Sequence, residues 1–144
     1  MKSRKFLVRA GATILEISLG IAISSNANAQ SCGADIQGAQ IIDSDSYVVA
    51  FRTRPTKIEI GQHFAVEFAV CAKNAHPLPQ SVTVDAQMPE HQHGMNYKPA
   101  IRKAGDRRYL AEGMMFHMPG RWELVFELKD STQSRRLSRD LVVQ

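Results

Sequence analysis

The sequence predicts an all-β fold, an immunoglobulin-like antiparallel β-sandwich of about seven to eight strands. Apolar residues recur at every second position in several short runs, turn residues punctuate the chain roughly every eight to twelve positions, and no helical period is sustained. A small closed barrel built from the same strands is the alternative.

The opening stretch MKSRKFLVRAGATILEISLGIAISSNANAQ reads as a secretory leader and stands outside the fold. Lys2, Arg4, Lys5 and Arg9 form its basic end, an apolar run extends to Ile23 with Glu16 inside it, and Ala27-Asn28-Ala29 supplies the small-x-small cleavage pattern. Cleavage is therefore expected after Ala29, although retention as an anchor is a second possibility that the short, broken apolar run disfavours. This divides the chain into a signal at 1–29, an irregular N-terminal arm at 30–44 and one β-sandwich domain at 45–144. Four basic residues and one acid lie in the leader, so of the 18 basic and 14 acidic side chains the remainder keeps 14 and 13, a net charge of +1. The basic pI belongs mainly to the leader, which excludes nucleic acid as a partner and, after cleavage, strong membrane association.

The arm contains Cys32, and the only other cysteine is Cys71. An exported chain meets an oxidising compartment, where an even pair forms a disulfide more often than two free thiols. A Cys32–Cys71 bond staples the arm to an internal strand. The first strand is expected over 46–53, SYVVAFRT, and Lys57-Ile58-Glu59-Ile60 alternates before the Gly61 turn. In QHFAVEFAVCA the residues Phe64, Val66, Phe68 and Val70 line one strand face, with Ala65, Glu67, Ala69 and Cys71 on the other. NAHPLPQ at 74–80 is a proline-punctuated loop. Val82, Val84, Ala86 and Met88 then alternate, and a short strand around Ala100-Ile101-Arg102 leads through Gly105-Asp106 to a long one at 107–118. By parity, Leu110, Met114, Phe116 and Met118 share its core face, while Tyr109, Ala111, Gly113, Met115 and His117 point the other way. Pro119-Gly120 turns the chain into a strand whose Trp122, Leu124, Phe126 and Leu128 face the core, and Leu137, Leu141 and Val143 mark the last strand.

Methionine and histidine concentrate in one window. Of the 6 methionines all but the initiator fall between Met88 and Met118, as do three of the 5 histidines. Within MPEHQHGM, His91, His93 and Met95 are spaced by two and project to one side if the segment is extended; Pro89 and Gly94 argue for a turn instead. Met115 and His117 on a neighbouring strand would complete a ligand pool of His91, His93, Met95, Met115 and His117. Thioether sulfur suits Cu(I) and imidazole suits either copper state, so the mixed set points to a copper ion. Zinc would recruit thiolate or carboxylate, and calcium a clustered acidic loop. The bland readings are core packing for Met88, Met114 and Met118 and solvated loop positions for the histidines; His63 and His76 carry no partner pattern. No Gly-x-Ser-x-Gly, His-Glu-x-x-His or phosphate-binding glycine loop is present, so a binding protein is expected and an enzyme is not.

The pattern from MPEHQHGM through Lys98-Pro99, Tyr109-Leu110, Met115-Phe116 and Met118-Pro119-Gly120-Arg121-Trp122-Glu123-Leu124 resembles the YtkA-like domain family, small exported or membrane-tethered sandwiches related in outline to FixH-like proteins. The resemblance implies a periplasmic or cell-surface location and links to copper handling and respiratory oxidase assembly. It carries onto His93, Gly94 and Met95 in the loop and onto Phe116, Pro119, Gly120 and Trp122 as architecture. The expected function is a periplasmic or secreted copper protein that buffers copper or delivers it to an envelope protein or oxidase assembly factor. The alternative is an interaction module of the cell envelope in which the Met-rich segment is an apolar docking surface and metal has no part.

Overall fold

The computed structural model describes residues 31–144, so the expected leader and its cleavage point lie outside the described residues. The described residues form nine strands: β1 (Gln40–Asp43), β2 (Tyr47–Arg54), β3 (His63–Ala72), β4 (Ser81–Met88), β5 (His93–Gly94), β6 (Ala100–Gly105), β7 (Arg108–Met115), β8 (Gly120–Lys129) and β9 (Ser134–Val143). They form two antiparallel sheets, ordered β1-β2-β3-β7-β6 and β5-β4-β8-β9. This is the immunoglobulin-like sandwich that alternation predicts, and the strand count exceeds the expectation because of two short pieces. One, β1, comes from the end of the arm; the other, β5, is two residues long.

The inner faces meet in one core. Tyr47, Val49 and Phe51 of β2 and Phe64, Val66, Phe68 and Val70 of β3 pack against Val84, Ala86 and Met88 of β4 and Trp122, Leu124, Phe126 and Leu128 of β8. Phe126 lies at its centre, with ring centroids 5.4 Å from Phe51 and 5.2 Å from Phe68. Each such side chain removed from water stabilises the fold by roughly 1.5–3 kcal/mol. The opposite face of β2 is also buried, because Cys32 and Ile36 of the arm pack over Val48 and Ala69. The small residues on that face of β3 let the arm approach closely, and the Cys32–Cys71 disulfide holds it there across 39 residues.

Beyond the arm, this outer face is polar. Glu67 is nearly buried and accepts charged hydrogen bonds from Arg52 at 2.9 Å and from Arg108, which also pairs with Asp35. Burial alone would raise the Glu67 carboxyl, but the Arg52 and Arg108 hydrogen bonds hold it below the ordinary glutamate range.

Two sequence expectations are corrected here. Residues 57–60 do not form a strand: they lie in the connection between β2 and β3, with Ile58 half-buried against the core and Ile60 exposed. Parity in β7 is broken as well. Tyr109 and Ala111 pair with Phe68 and Val66 and face the core, whereas Leu110 does not; after a bulge the core positions become Met114 and Phe116. Gly113, at φ +82°, supplies the left-handed residue of that bulge. Gly120, at φ +128°, meets a different constraint, since a Cβ there would stand 2.8 Å from the Met88 methyl.

At the opposite end of the sandwich, the turn after β8 is organised by Asp130, whose carboxylate accepts from the Thr132 N–H at 2.7 Å, the Thr132 hydroxyl at 2.8 Å and the Gln133 N–H at 2.9 Å. These bonds, with a further one from the Tyr47 hydroxyl, pull the carboxyl from 3.8 to about 2. A carboxyl held below its unfolded value stabilises the fold above that value and stops doing so as the pH falls through the folded one. Stability against urea should therefore fall between about pH 4 and pH 2, and Asp130→Asn should flatten that acid limb while lowering the plateau near pH 7. An unchanged limb in the variant would assign the acid sensitivity elsewhere.

Candidate functional site

The register of the second sheet explains how distant histidines meet. Gln87 near the end of β4 pairs with Glu123 near the start of β8, so the segment after Met88 and the segment before Gly120 emerge at the same end of the sandwich. The first carries His91 and His93, the second His117. After Met88 the chain turns, with the His91 N–H donating to the Met88 carbonyl at 3.1 Å and Gln92 at φ +55°. It then runs back along β4 as β5, where His93 pairs with Met88 and the Met95 N–H donates to the Ala86 carbonyl at 3.0 Å.

This brings three of the five expected ligands together. The His93 ring centroid is 5.1 Å from that of His117 and 5.9 Å from that of His91. Trp122 forms the floor: its indole lies edge-on to His117 at 5.3 Å and to His93 at 6.0 Å. The indole is itself immobilised, stacked on Phe116 at 4.4 Å and 7°, with its N–H donating to the Met118 carbonyl at 3.1 Å. His91 and His117 are exposed and His93 half-buried, so the cluster is open to solvent.

The two methionines of the expected pool are placed differently. Met95 is 9% exposed and packs into the main core, because β5 pairing turns its side chain inward. Met115 lies at the end of β7, where its register partner is His63 of β3.

Ionic contacts brace the loop. Arg121 donates to Glu90, beside His91, and to Asp140 of β9, both at 3.1 Å. Glu123 takes hydrogen bonds from Gln87 at 2.6 Å and Arg136 at 2.7 Å, tying β4, β8 and β9 together beneath it. His93 also lines a cleft of about 430 Å³ whose wall includes Asp85, Glu127 and Arg136.

With about 2.0–2.1 Å from metal to imidazole nitrogen, two rings on one ion have centroids roughly 4.5–6.5 Å apart. Both spacings in the cluster fall in that range. Among the described residues, no three His, Cys, Asp or Glu side chains stand in ready-made ligating positions, so a shared ion requires ring rotation, which the exposed His91 and His117 can make.

Two residues at this end of the sandwich have placements that sequence reasoning missed. Trp122 reads as a core aromatic and is one, yet its edge is also the floor of the cluster. His63 has no partner pattern in the sequence; only the β3–β7 register sets it opposite Met115.

Fold and site together define a small two-sheet β-sandwich with an open imidazole cluster at one end. Comparison with known families sharpens this: the chain belongs to the YtkA-like family, whose model matches residues 43–127 and so includes the whole cluster. A crystal structure to which the chain is similar is that of a DUF4426 family protein from Pseudomonas aeruginosa PAO1, at 10% identity and a TM-score of 0.49, covering 74% of this chain and 95% of that one. No curated protein matches the chain. Among the described residues, no helix is long and apolar enough to cross a membrane.

Proposed function

We propose that this protein binds a copper ion at the imidazole cluster and holds it for transfer to a partner in an oxidising compartment of the cell envelope. The observation that carries the reading is the convergence of His91, His93 and His117 from two separate segments, at spacings that suit a shared ion. His93 and His117 are the principal ligands and His91 is the third. Imidazole accommodates Cu(I) and Cu(II) alike, so this cluster is less confined to Cu(I) than a mixed thioether set. Neutral, solvent-open ligands favour exchange over permanent retention, which suits delivery to an envelope protein such as an oxidase assembly factor. The disulfide supports an oxidising location, periplasmic or secreted.

The alternative, an apolar docking surface rich in methionine, finds little support. Met88, Met95 and Met114 are buried, so the run of methionines in the sequence does not make an exposed patch.

Competition with a chromogenic Cu(I) chelator tests the reading. The wild-type protein should withdraw at least one equivalent with a dissociation constant below micromolar, and His91→Ala/His93→Ala should weaken the cluster's equivalent at least tenfold, or about 1.4 kcal/mol. Failure to compete, or competition unchanged in the variant, would overturn it.

A further inference from the structure

We propose that His63 and Met115 form a second metal site, a mixed imidazole–thioether pair that takes a soft monovalent cation of the Cu(I) or Ag(I) class. The two residues sit on different strands, His63 opening β3 and Met115 closing β7, and are direct partners in the antiparallel register. Directly opposed residues hold their Cβ atoms roughly 4.5–5.5 Å apart and project to the same face. The neighbouring pair, Phe64 and Met114, is buried in the core; His63 and Met115 therefore face outward, His63 exposed and Met115 half-buried.

The strand ends are anchored here, because the Gly61 N–H donates to the Phe116 carbonyl at 2.8 Å and ties the start of β3 to the end of β7. The backbones that carry the two donors are thus held side by side, with His63 exposed and Met115 half-buried. Tyr97, 47% exposed, stands edge-on to His63 at 6.1 Å and covers one side of the imidazole. One nitrogen and one thioether sulfur satisfy a d¹⁰ monovalent ion, which accepts low coordination and soft donors, and they hold Cu(II), zinc and hard cations poorly. Core packing does not account for the outward methionine, since Met114 already fills the inward position.

The pair shares no residue with the three-histidine cluster and rests on the β3–β7 register. The two divide the work by softness: the pair selects reduced metal, and the imidazoles take either state.

Silver(I), which is redox-inert, is the probe, added to His91→Ala/His93→Ala/His117→Ala so that the cluster cannot contribute. With NMR as the readout, one equivalent should shift the Met115 ε-methyl and the His63 ring resonances together and saturate. Met115→Leu, which conserves side-chain volume, should remove the His63 response, and His63→Gln should weaken binding at least tenfold. A Met115 methyl that does not move, a His63 response that survives Met115→Leu, or silver shifts scattered over other methionines would each overturn the proposal. Because the cluster is absent from this background, the result is independent of copper binding there.

Discussion

Replacing both cysteines, Cys32→Ala/Cys71→Ala, is expected to lower the unfolding free energy by about 4 kcal/mol on the chain-entropy model. The bond closes a loop spanning 39 residues of sequence separation, and releasing it frees the unfolded chain to explore conformations it is now denied. A native-state loss adds to this. Cys32 and Ile36 cover Val48 and Ala69 on the outer face of the first sheet, and without the staple that cover rests on its own small contact area, the ion pair between Asp35 and Arg108 and a hydrogen bond from Arg52 to the Gln37 carbonyl. Urea unfolding of the double variant, with limited proteolysis of residues 31–39, measures both parts. A change under about 1 kcal/mol with the arm still protected would show that packing alone retains it.

Trp122→Ala should cost a similar amount, about 3–5 kcal/mol. The indole is fully buried, and its removal leaves Phe116 without a stacking partner and the Met118 carbonyl without its donor. The same substitution removes the floor under His93 and His117, so metal affinity should fall along with stability. Trp122→Phe fills most of the space and separates the two effects: it should recover most of the stability in urea unfolding. If Trp122→Ala were as stable as wild type, the indole would not be the packing centre of this end of the sandwich.

The architecture was legible where alternation is a direct consequence of burial on one face. Phe64 to Val70 and Trp122 to Leu128 could be read residue by residue, because each strand has one face in the core. The disulfide was legible from compartment and parity of count. In β7, alternation misled because a bulge inserts one residue; Gly113 within a strand run is the available signal for it. At residues 57–60 an alternating pattern arose without a strand, since one half-buried isoleucine suffices to produce it. The histidine cluster was half legible: composition marked the window and the His-x-His spacing marked the loop. Its membership was not, because it depends on which strands pair. Met95 was expected beside His93 as a ligand, but β5 pairing folds it into the core, and the placing of His63 opposite Met115 follows only from the β3–β7 register.

The central claim is that copper occupies the cluster beside Trp122, and the chain contains 1 tryptophan, whose ring lies 5.3 Å from His117 and 6.0 Å from His93. Titrating Cu(II) into the protein while recording tryptophan fluorescence is therefore the most direct measurement. The proposed site predicts quenching that saturates at one equivalent, is lost in His93→Ala/His117→Ala and is retained in His76→Ala at the far end of the sandwich. No saturable quenching, or the same quenching in the His93→Ala/His117→Ala protein, would contradict it.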